Sequence, residues 1–417
     1  MEALASYCHR VSTLLLSLLA CSPVEIGAKA YRRPAASPVE DSGHTDCSSL
    51  PLTEEPRAQN LVLLTWDTTR RDHLTPYGYV RDTTPALAAW SEKAVVFDRH
   101  FSTAPWTKPA FASIFSSLHP HEHGVVQWED SLAEDLVTLP LQLQAEGLAT
   151  HATVSHLAFS RSMNNFHAGF DVFDDSVWLG VGSPSELTTS TDVADLAIEA
   201  LDGLPEPFFL WVHFFDPHSD YLHQEDHIYG ERDIDLYDGE IAHTDAQMGR
   251  LLGALEAHAD DTAVIFVADH GEEFGDHGGR EHTNSLYNEL IHVPMIARIP
   301  GVKPQRISHT TSHLDLAPSL LSWLGLSPLP SFRGRALPIR GDQICLVDDA
   351  WVFSEADRFA DLRSFVDWPY KVIRDRQADT WQLFDVQWDP RETIDLSASA
   401  PETLDAMRQV LLAQYPE

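Results

Sequence analysis

The chain has 417 residues, 43% of them hydrophobic, and its 63 acidic side chains outnumber 28 basic ones for a formal net charge of −35. That apolar content sustains one large α/β domain or two ordinary ones and excludes global disorder. The acidic excess excludes nucleic acid as a partner, because phosphate contacts need Lys and Arg, and an anionic substrate has to be drawn in locally by a cation, His side chains or helix ends.

Residues 1–21 read as an export signal. His9 and Arg10 precede the apolar run Val11–Ala20, which is too short to span a bilayer as a mature helix and ends at Cys21. Leu18-Leu19-Ala20-Cys21 resembles the bacterial lipobox, whose Cys is acylated and becomes the mature N-terminus. The expected location is therefore the bacterial cell envelope, outer membrane or periplasm, with the membrane reached by a lipid anchor only. An ordinary cleaved signal with an incidental Cys is the alternative. Residues 22–58 are rich in Pro, Ser, Ala and charge without an apolar period, and read as a flexible tether. Cys47 and Cys345 are the thiols outside the signal. An oxidising compartment would allow them to pair, but two isolated thiols is the plainer reading.

A catalytic domain is expected over residues 59–330. It opens on Asn60–Trp66, a continuous apolar run suited to a strand buried on both faces of a parallel sheet, and Asp67 ends the run. Ala94–Phe97, Phe208–Phe214 and Ala263–Ala268 are further strand candidates. Helical patterns lie between them: Pro85–Trp90, Leu139–Glu146 closed by Gly147, Thr191–Leu201, and the long amphipathic Tyr237–Ala257. This alternation predicts an α/β fold, a central, mostly parallel sheet flanked by helices. Ligands in such folds gather at the carboxyl ends of the strands, where Asp67, Asp216 and Asp269 stand. Residues 331–417 follow a different pattern. Tyr370–Asp375 and Trp381–Val386 alternate, Asp389-Pro390 turns, and Pro401–Ala413 is helical, which predicts a small C-terminal antiparallel sheet with one helix.

The chemistry concentrates in three segments. A carboxylate after a buried strand, as at Asp67, needs a cation or serves as a helix cap. Asp269-His270 ends another buried strand, and this oxygen and imidazole set suits Mg²⁺, Ca²⁺, Mn²⁺ or Zn²⁺. Thr107 precedes Pro109, which suits the first turn of a helix through Phe115. Its hydroxyl would then lie just before a helix N-terminus, where backbone N–H groups favour an anion. A cation at that oxygen would help to deprotonate it. His218 in Asp216-Pro217-His218 and His282 after the Gly-rich loop are candidate proton donors or anion contacts, and His119, His121 and His123 alternate in a short loop.

The segments Asn60–Asp72, Tyr77–Pro85, Ala104–Gly124, Phe214–Tyr221, Asp269–Pro294 and Tyr370–Leu396 together resemble the sulfatase family of the alkaline phosphatase superfamily, in the family's order. The resemblance implies a central sheet flanked by helices, a smaller C-terminal sheet and one divalent cation, most often Ca²⁺. Carried onto this chain, it makes Asp67, Asp269 and His270 metal ligands with Thr107 as a fourth contact. It puts Thr107 at the nucleophile position, His218 at the active-site His and His282 near the leaving group. His121 or His123 falls in the loop that contributes another basic contact.

The chain departs from the family pattern where formylglycine is made. Sulfatases carry Cys or Ser in a Cys/Ser-x-Pro-Ser-Arg motif, whereas this chain reads Thr107-Lys108-Pro109-Ala110-Phe111. Threonine, branched at its β-carbon, cannot give that aldehyde, so no formylglycine is expected. Thr68 also replaces the second family acid beside Asp67. The expectation is an exported, metal-dependent hydrolase that cleaves phosphate esters, or sulfate esters, of a small molecule, glycan or lipid through Thr107. The rivals are a phosphoryl-type transferase and a catalytically dead lipoprotein that binds anionic glycans.

Overall fold

A computed structural model describes residues 47–416 apart from 54, 162 and 181–187. The signal segment, Cys21 and most of the expected tether lie outside the described residues. Nine strands build the central sheet: β1 (Asn60–Trp66), β2 (Val95–Phe101), β3 (Ala149–Val154), β4 (Val172–Asp174), β5 (Phe208–Phe214), β6 (Thr262–Ala268), β7 (His292–Arg298), β8 (Gln305–Ile307) and β9 (Thr311–Ser312). Their order is β8-β2-β7-β6-β1-β5-β3-β4, with β9 also on β2. All pairings are parallel except those of β7, which runs antiparallel to β2 and β6.

Alternation along each strand assigns the two faces. Leu61 and Leu63 of β1 pack with Phe111, Phe115, Leu316 and Leu320, the face covered by helices α1 (Thr107–Ser116) and α2 (Leu316–Trp323). Val62, Leu64 and Trp66 pack with Leu87, Val193, Ile241 and Met248 on the other face, under the helices Ser190–Gly203 and Asp233–Leu255. Both faces of β1, β5 and β6 are buried along their whole length, which is why their sequences read as unbroken apolar runs.

Strand β7 was not expected, and Pro294 explains why: proline lacks the N–H that a central strand needs. The ladder accommodates it with a register shift in β2 between Phe97 and His100, on either side of the Val293–Met295 step.

The C-terminal sheet has four antiparallel strands, β10 (Val352–Ala356), β11 (Leu362–Asp367), β12 (Tyr370–Asp375) and β13 (Thr380–Asp385). One face packs Val352, Val366, Ile373 and Phe384 against Phe101, Leu286 and Leu290 of the larger part. The other packs Phe365, Val372 and Leu383 against Met407, Val410 and Leu411 of the closing helix Pro401–Gln414.

The end of the expected tether is not loose. Cys47 and Cys345 form a disulfide with their Cα atoms 5.8 Å apart, which corrects the reading of isolated thiols. Leu52 bridges to Arg340, and the N–H groups of Arg57 and Ala58 donate to the Trp323 carbonyl. Among the described residues no helix is long and apolar enough to cross a membrane.

Candidate active site

Strand register brings the two carboxylates together. Trp66 of β1 stands opposite Ala268 of β6, so the next residue on each strand, Asp67 and Asp269, leaves the same end of the sheet. Both are fully buried. Ligand atoms of Asp67, Asp269 and His270 all lie within 4.8 Å of one another. His270 Nε2 is 3.4 Å from Asp67 Oδ1 and 3.5 Å from Asp269 Oδ2. Thr107 Oγ1 is 3.3 Å from the same nitrogen. Thr107 is the first residue of α1, one position further into the helix than expected, with Trp106 as the N-cap.

The tautomer of His270 follows from its other nitrogen. Nδ1 lies 2.9 Å from the Gly271 carbonyl, to which it donates, so Nε2 presents its lone pair to the cluster. A side chain at Gly271 would meet the Glu289 carbonyl at 1.9 Å, so this close approach requires glycine. Both Asp67 carboxylate oxygens and Asp269 Oδ2 are buried without a hydrogen-bond partner. Burial works to raise the Asp67 carboxyl, yet His156 and His213 beside it hold it below the usual carboxylate range. Burial and the neighbouring Asp67 push Asp269 up. Two carboxylates this close do not both ionise without a cation between them. The orphaned oxygens, the Nε2 lone pair and the Thr hydroxyl form a donor set that fits one divalent cation.

Two histidines beside Asp67 were not singled out from the sequence. His156 Nε2 and His213 Nε2 each lie 3.4 Å from Asp67 Oδ2. His213 sits inside the apolar run of β5, where it reads as core, yet the β1–β5 register sets it beside Thr65, two residues before Asp67. His156 follows β3, whose sequence, Ala149-Thr150-His151-Ala152-Thr153-Val154, lacks an apolar run to announce a buried strand. His156 Nδ1 accepts from the Ala158 N–H at 2.7 Å, so the neutral ring carries its proton on Nε2. His156 therefore faces Asp67 as a donor. It is not suited to ligating a cation there, although His156, Asp67 and His218 lie close enough to form a group.

His218 and His282 line the same space. Their ring centroids are 5.0 Å apart, and His282 is 4.6 Å from His270. His218 Nδ1 donates to the Ser219 carbonyl at 2.8 Å. His282 Nδ1 is 3.1 Å from Glu272 Oε1, and Glu272 Oε2 accepts the Tyr221 hydroxyl at 2.8 Å. Burial opposes charge on His282, but Glu272 carries its pKa above the ordinary imidazole range. Arg70 braces the loop behind, donating to the Glu272 carbonyl at 3.2 Å and to Asp276 at 2.9 Å.

His121 or His123 was expected to add a basic contact, and each has a partner of its own, as do Asp216 and Thr68. His121 is not brought to this cluster: its Nδ1 pairs with Glu355 at 2.7 Å, and its ring packs on Tyr415 of the C-terminal part. His123 is turned to Ser113 at 3.2 Å. Asp216, a strand-end acid like the other two, accepts from Ser190 N at 2.8 Å and Thr189 N at 3.0 Å at the start of a helix, so it is a cap. Thr68, where the family pattern has an acid, turns its hydroxyl to the Pro217 carbonyl at 3.1 Å and is no ligand. Its backbone is left-handed (φ 45°), held there by the Tyr237 hydroxyl donating to the Thr68 carbonyl at 2.7 Å.

Residues 59–326 match the sulfatase family profile. Arylsulfatase K of Gallus gallus is 27% identical over 204 residues, covering 44% of this chain and 37% of its own length. The low-salt glycan biosynthesis sulfotransferase Agl7 of Haloferax volcanii is 28% identical, covering 54% of each chain. The chain thus spans between about a third and about a half of these relatives. An arylsulfatase of Clostridium perfringens is 22% identical over 85% of this chain and 94% of its own. Among solved structures, the phosphonate monoester hydrolase of Agrobacterium radiobacter superposes with a TM-score of 0.71 at 19% identity, covering 85% of this chain and 95% of that one. A protein solved with its substrate D-glucosamine-2-N,6-O-disulfate gives 0.73 at 17% identity, covering 86% and 97%.

Proposed function

This chain belongs to the sulfatase family of the alkaline phosphatase superfamily, and from that premise we propose that it hydrolyses phosphate esters with Thr107 as the nucleophile. The observation that supports this most is the placement of Thr107 Oγ1, 3.3 Å from His270 Nε2, a nitrogen that itself lies 3.4 Å from Asp67 Oδ1 and 3.5 Å from Asp269 Oδ2. Asp67, Asp269, His270 and Thr107 would hold one divalent cation. When bound, it would acidify the Thr107 hydroxyl and offset charge on the non-bridging oxygens of the ester.

The residues divide the remaining work. Thr107 Oγ1, its proton already lost to solvent, attacks as an alkoxide and forms a bond to phosphorus as the bond from phosphorus to the leaving oxygen breaks; it leaves as the same alkoxide in the second step. His282, charged through Glu272, gives its Nε2 proton to that oxygen. The free alcohol departs, and a phosphothreonine remains. Water then attacks phosphorus and loses a proton to the now neutral His282. The Thr107 oxygen is released and inorganic phosphate leaves. General acid catalysis of this kind contributes on the order of 10²–10⁴ in rate. Thr107 opens α1, so the positive end of that helix lies at the residue that would carry the group.

Phosphate is favoured over sulfate because Thr107 cannot become formylglycine. Transfer to an alcohol acceptor in place of water is the second reading, favoured by the likeness to a sulfotransferase. Export with lipid on Cys21 remains part of the proposal, supported by the Cys47–Cys345 disulfide, which suits an oxidising compartment. The test is turnover of aryl phosphate and aryl sulfate esters with added Ca²⁺, Mg²⁺, Mn²⁺ or Zn²⁺, with and without an alcohol acceptor. Phosphate cleavage that depends on the cation and is lost in Thr107→Ala supports the reading. Efficient sulfate cleavage, or full activity in Thr107→Ala, overturns it.

A further inference from the structure

Arg358 follows β10 on a loop and stands apart from the other cations nearby. Its guanidinium carbon lies 4.9 Å from the Trp106 ring centroid, 5.3 Å from Trp128 and 4.6 Å from Phe359. Among the described residues it makes no hydrogen bond and no ion pair, and Glu129 acts on it only through space. Arg363, five residues on, is instead committed to Asp357 at 2.7 Å and Asp361 at 3.4 Å. Lys108 is also occupied, its ammonium donating to the carbonyls of Trp128 and Asp130. In a chain with 63 acidic and 28 basic residues, this partly buried guanidinium is held by three rings and, among the described residues, by no ion pair. The rings fix its position and leave its fork of N–H donors unused.

Its location gives those donors a use. Trp106 immediately precedes Thr107. The segment holding both is tied on one side to the His282 loop, where Thr283 N donates to the Pro105 carbonyl at 3.0 Å. On the other side Glu355 N donates to the Thr103 carbonyl at 2.9 Å, anchoring the strand that leads to Arg358. The segment that ends in Thr107 is thus tied both to the His282 loop and to the strand before Arg358, and the guanidinium packs on the ring of the residue next to Thr107.

We propose that Arg358, with Trp106 and Trp128, forms a subsite for a second negative charge on the alcohol part of the ester, such as a carboxylate, so that the substrates are esters of acidic, ring-bearing alcohols. The inference rests on the reading of Thr107 as the nucleophile. A planar guanidinium matches a carboxylate bidentately; buried Trp106 holds it in place, while half-buried Trp128 and exposed Phe359 offer apolar surface to the group that carries the charge.

The test compares 4-carboxyphenyl phosphate with 4-nitrophenyl phosphate in the native chain and in Arg358→Gln. The ratio of kcat/KM for the carboxylated over the nitro ester is expected to fall about tenfold or more in the variant, the size of one charge-assisted contact, mainly through KM. An unchanged ratio overturns the subsite. Absence of turnover on either ester counts against the nucleophile, so binding is measured in parallel without turnover. In a Thr107→Ala background, 4-carboxyphenyl phosphonate should bind about tenfold more weakly once Arg358 is replaced by Gln. Equal affinities overturn the subsite whatever the fate of Thr107.

Discussion

Glu272 Oε1 lies 3.1 Å from His282 Nδ1, which fixes the His282 ring and leaves its Nε2 facing the space beside His270. The pairing makes Glu272 a positioning residue for the proposed proton donor, and it was not singled out from its Asp269-His270-Gly271-Glu272 context. Glu272→Gln should lower kcat on the order of tenfold to a hundredfold for alkyl phosphates, whose leaving oxygens need a proton. The loss should be smaller for nitrophenyl phosphate, whose leaving group needs little help. Equal losses on both would assign Glu272 a merely structural role.

Metal content supplies a second check. One divalent ion per chain is expected by elemental analysis, and Asp67→Asn or Asp269→Asn should lose it. Saturating cation should raise the unfolding free energy of the native chain by about 2.7 kcal/mol at a hundred times Kd. The same addition should leave Asp269→Asn unmoved. Equal stabilisation of both proteins would place the ion elsewhere.

The disulfide closes a loop over a sequence separation of 298 residues, and links the start of the described chain to the segment before β10. Cys345→Ser should lower stability by about 2–5 kcal/mol, read from urea unfolding. Peptide mapping without reductant should recover Cys47 linked to Cys345. Free thiols at both positions would contradict the pairing.

His121 gives a pH signature away from the cluster. Its hydrogen bond to Glu355 raises the His121 pKa above the ordinary imidazole value. A group whose folded pKa is raised stabilises most below its unfolded pKa, about 6.5, and loses that contribution as pH rises through the folded value. The stability difference between the native chain and His121→Gln should therefore be largest at pH 5–6 and shrink above that range. A difference that grows with pH would reverse the assignment.

How far the sequence spoke for itself depended on burial pattern. Strands β1, β5 and β6 were legible because both of their faces are buried, and with them came Asp67 and Asp269 at their ends. Thr107 was legible through Pro109 and the helix after it. His213 was hidden because a polar residue in an apolar strand looks like core, and only the register beside Thr65 reveals its partner. His156 was hidden because β3 has no apolar run, and β7 because Pro294 argues against a central strand. Asp216 misled for the opposite reason: a strand-end carboxylate reads the same whether it meets a cation or caps a helix, and only the Thr189 and Ser190 N–H groups tell the two apart. His121 misled because the loop carrying it faces Glu355, a residue 234 positions away.

Direct attack by Thr107 leaves a covalent trace. Acid quenching during turnover of 4-nitrophenyl phosphate, followed by peptide mass spectrometry, reads it. A phosphoryl group is expected on the peptide containing Thr107, formed in step with nitrophenol release and absent in Thr107→Ala. Steady turnover with no adduct on that peptide, or an adduct on a different residue, would contradict it.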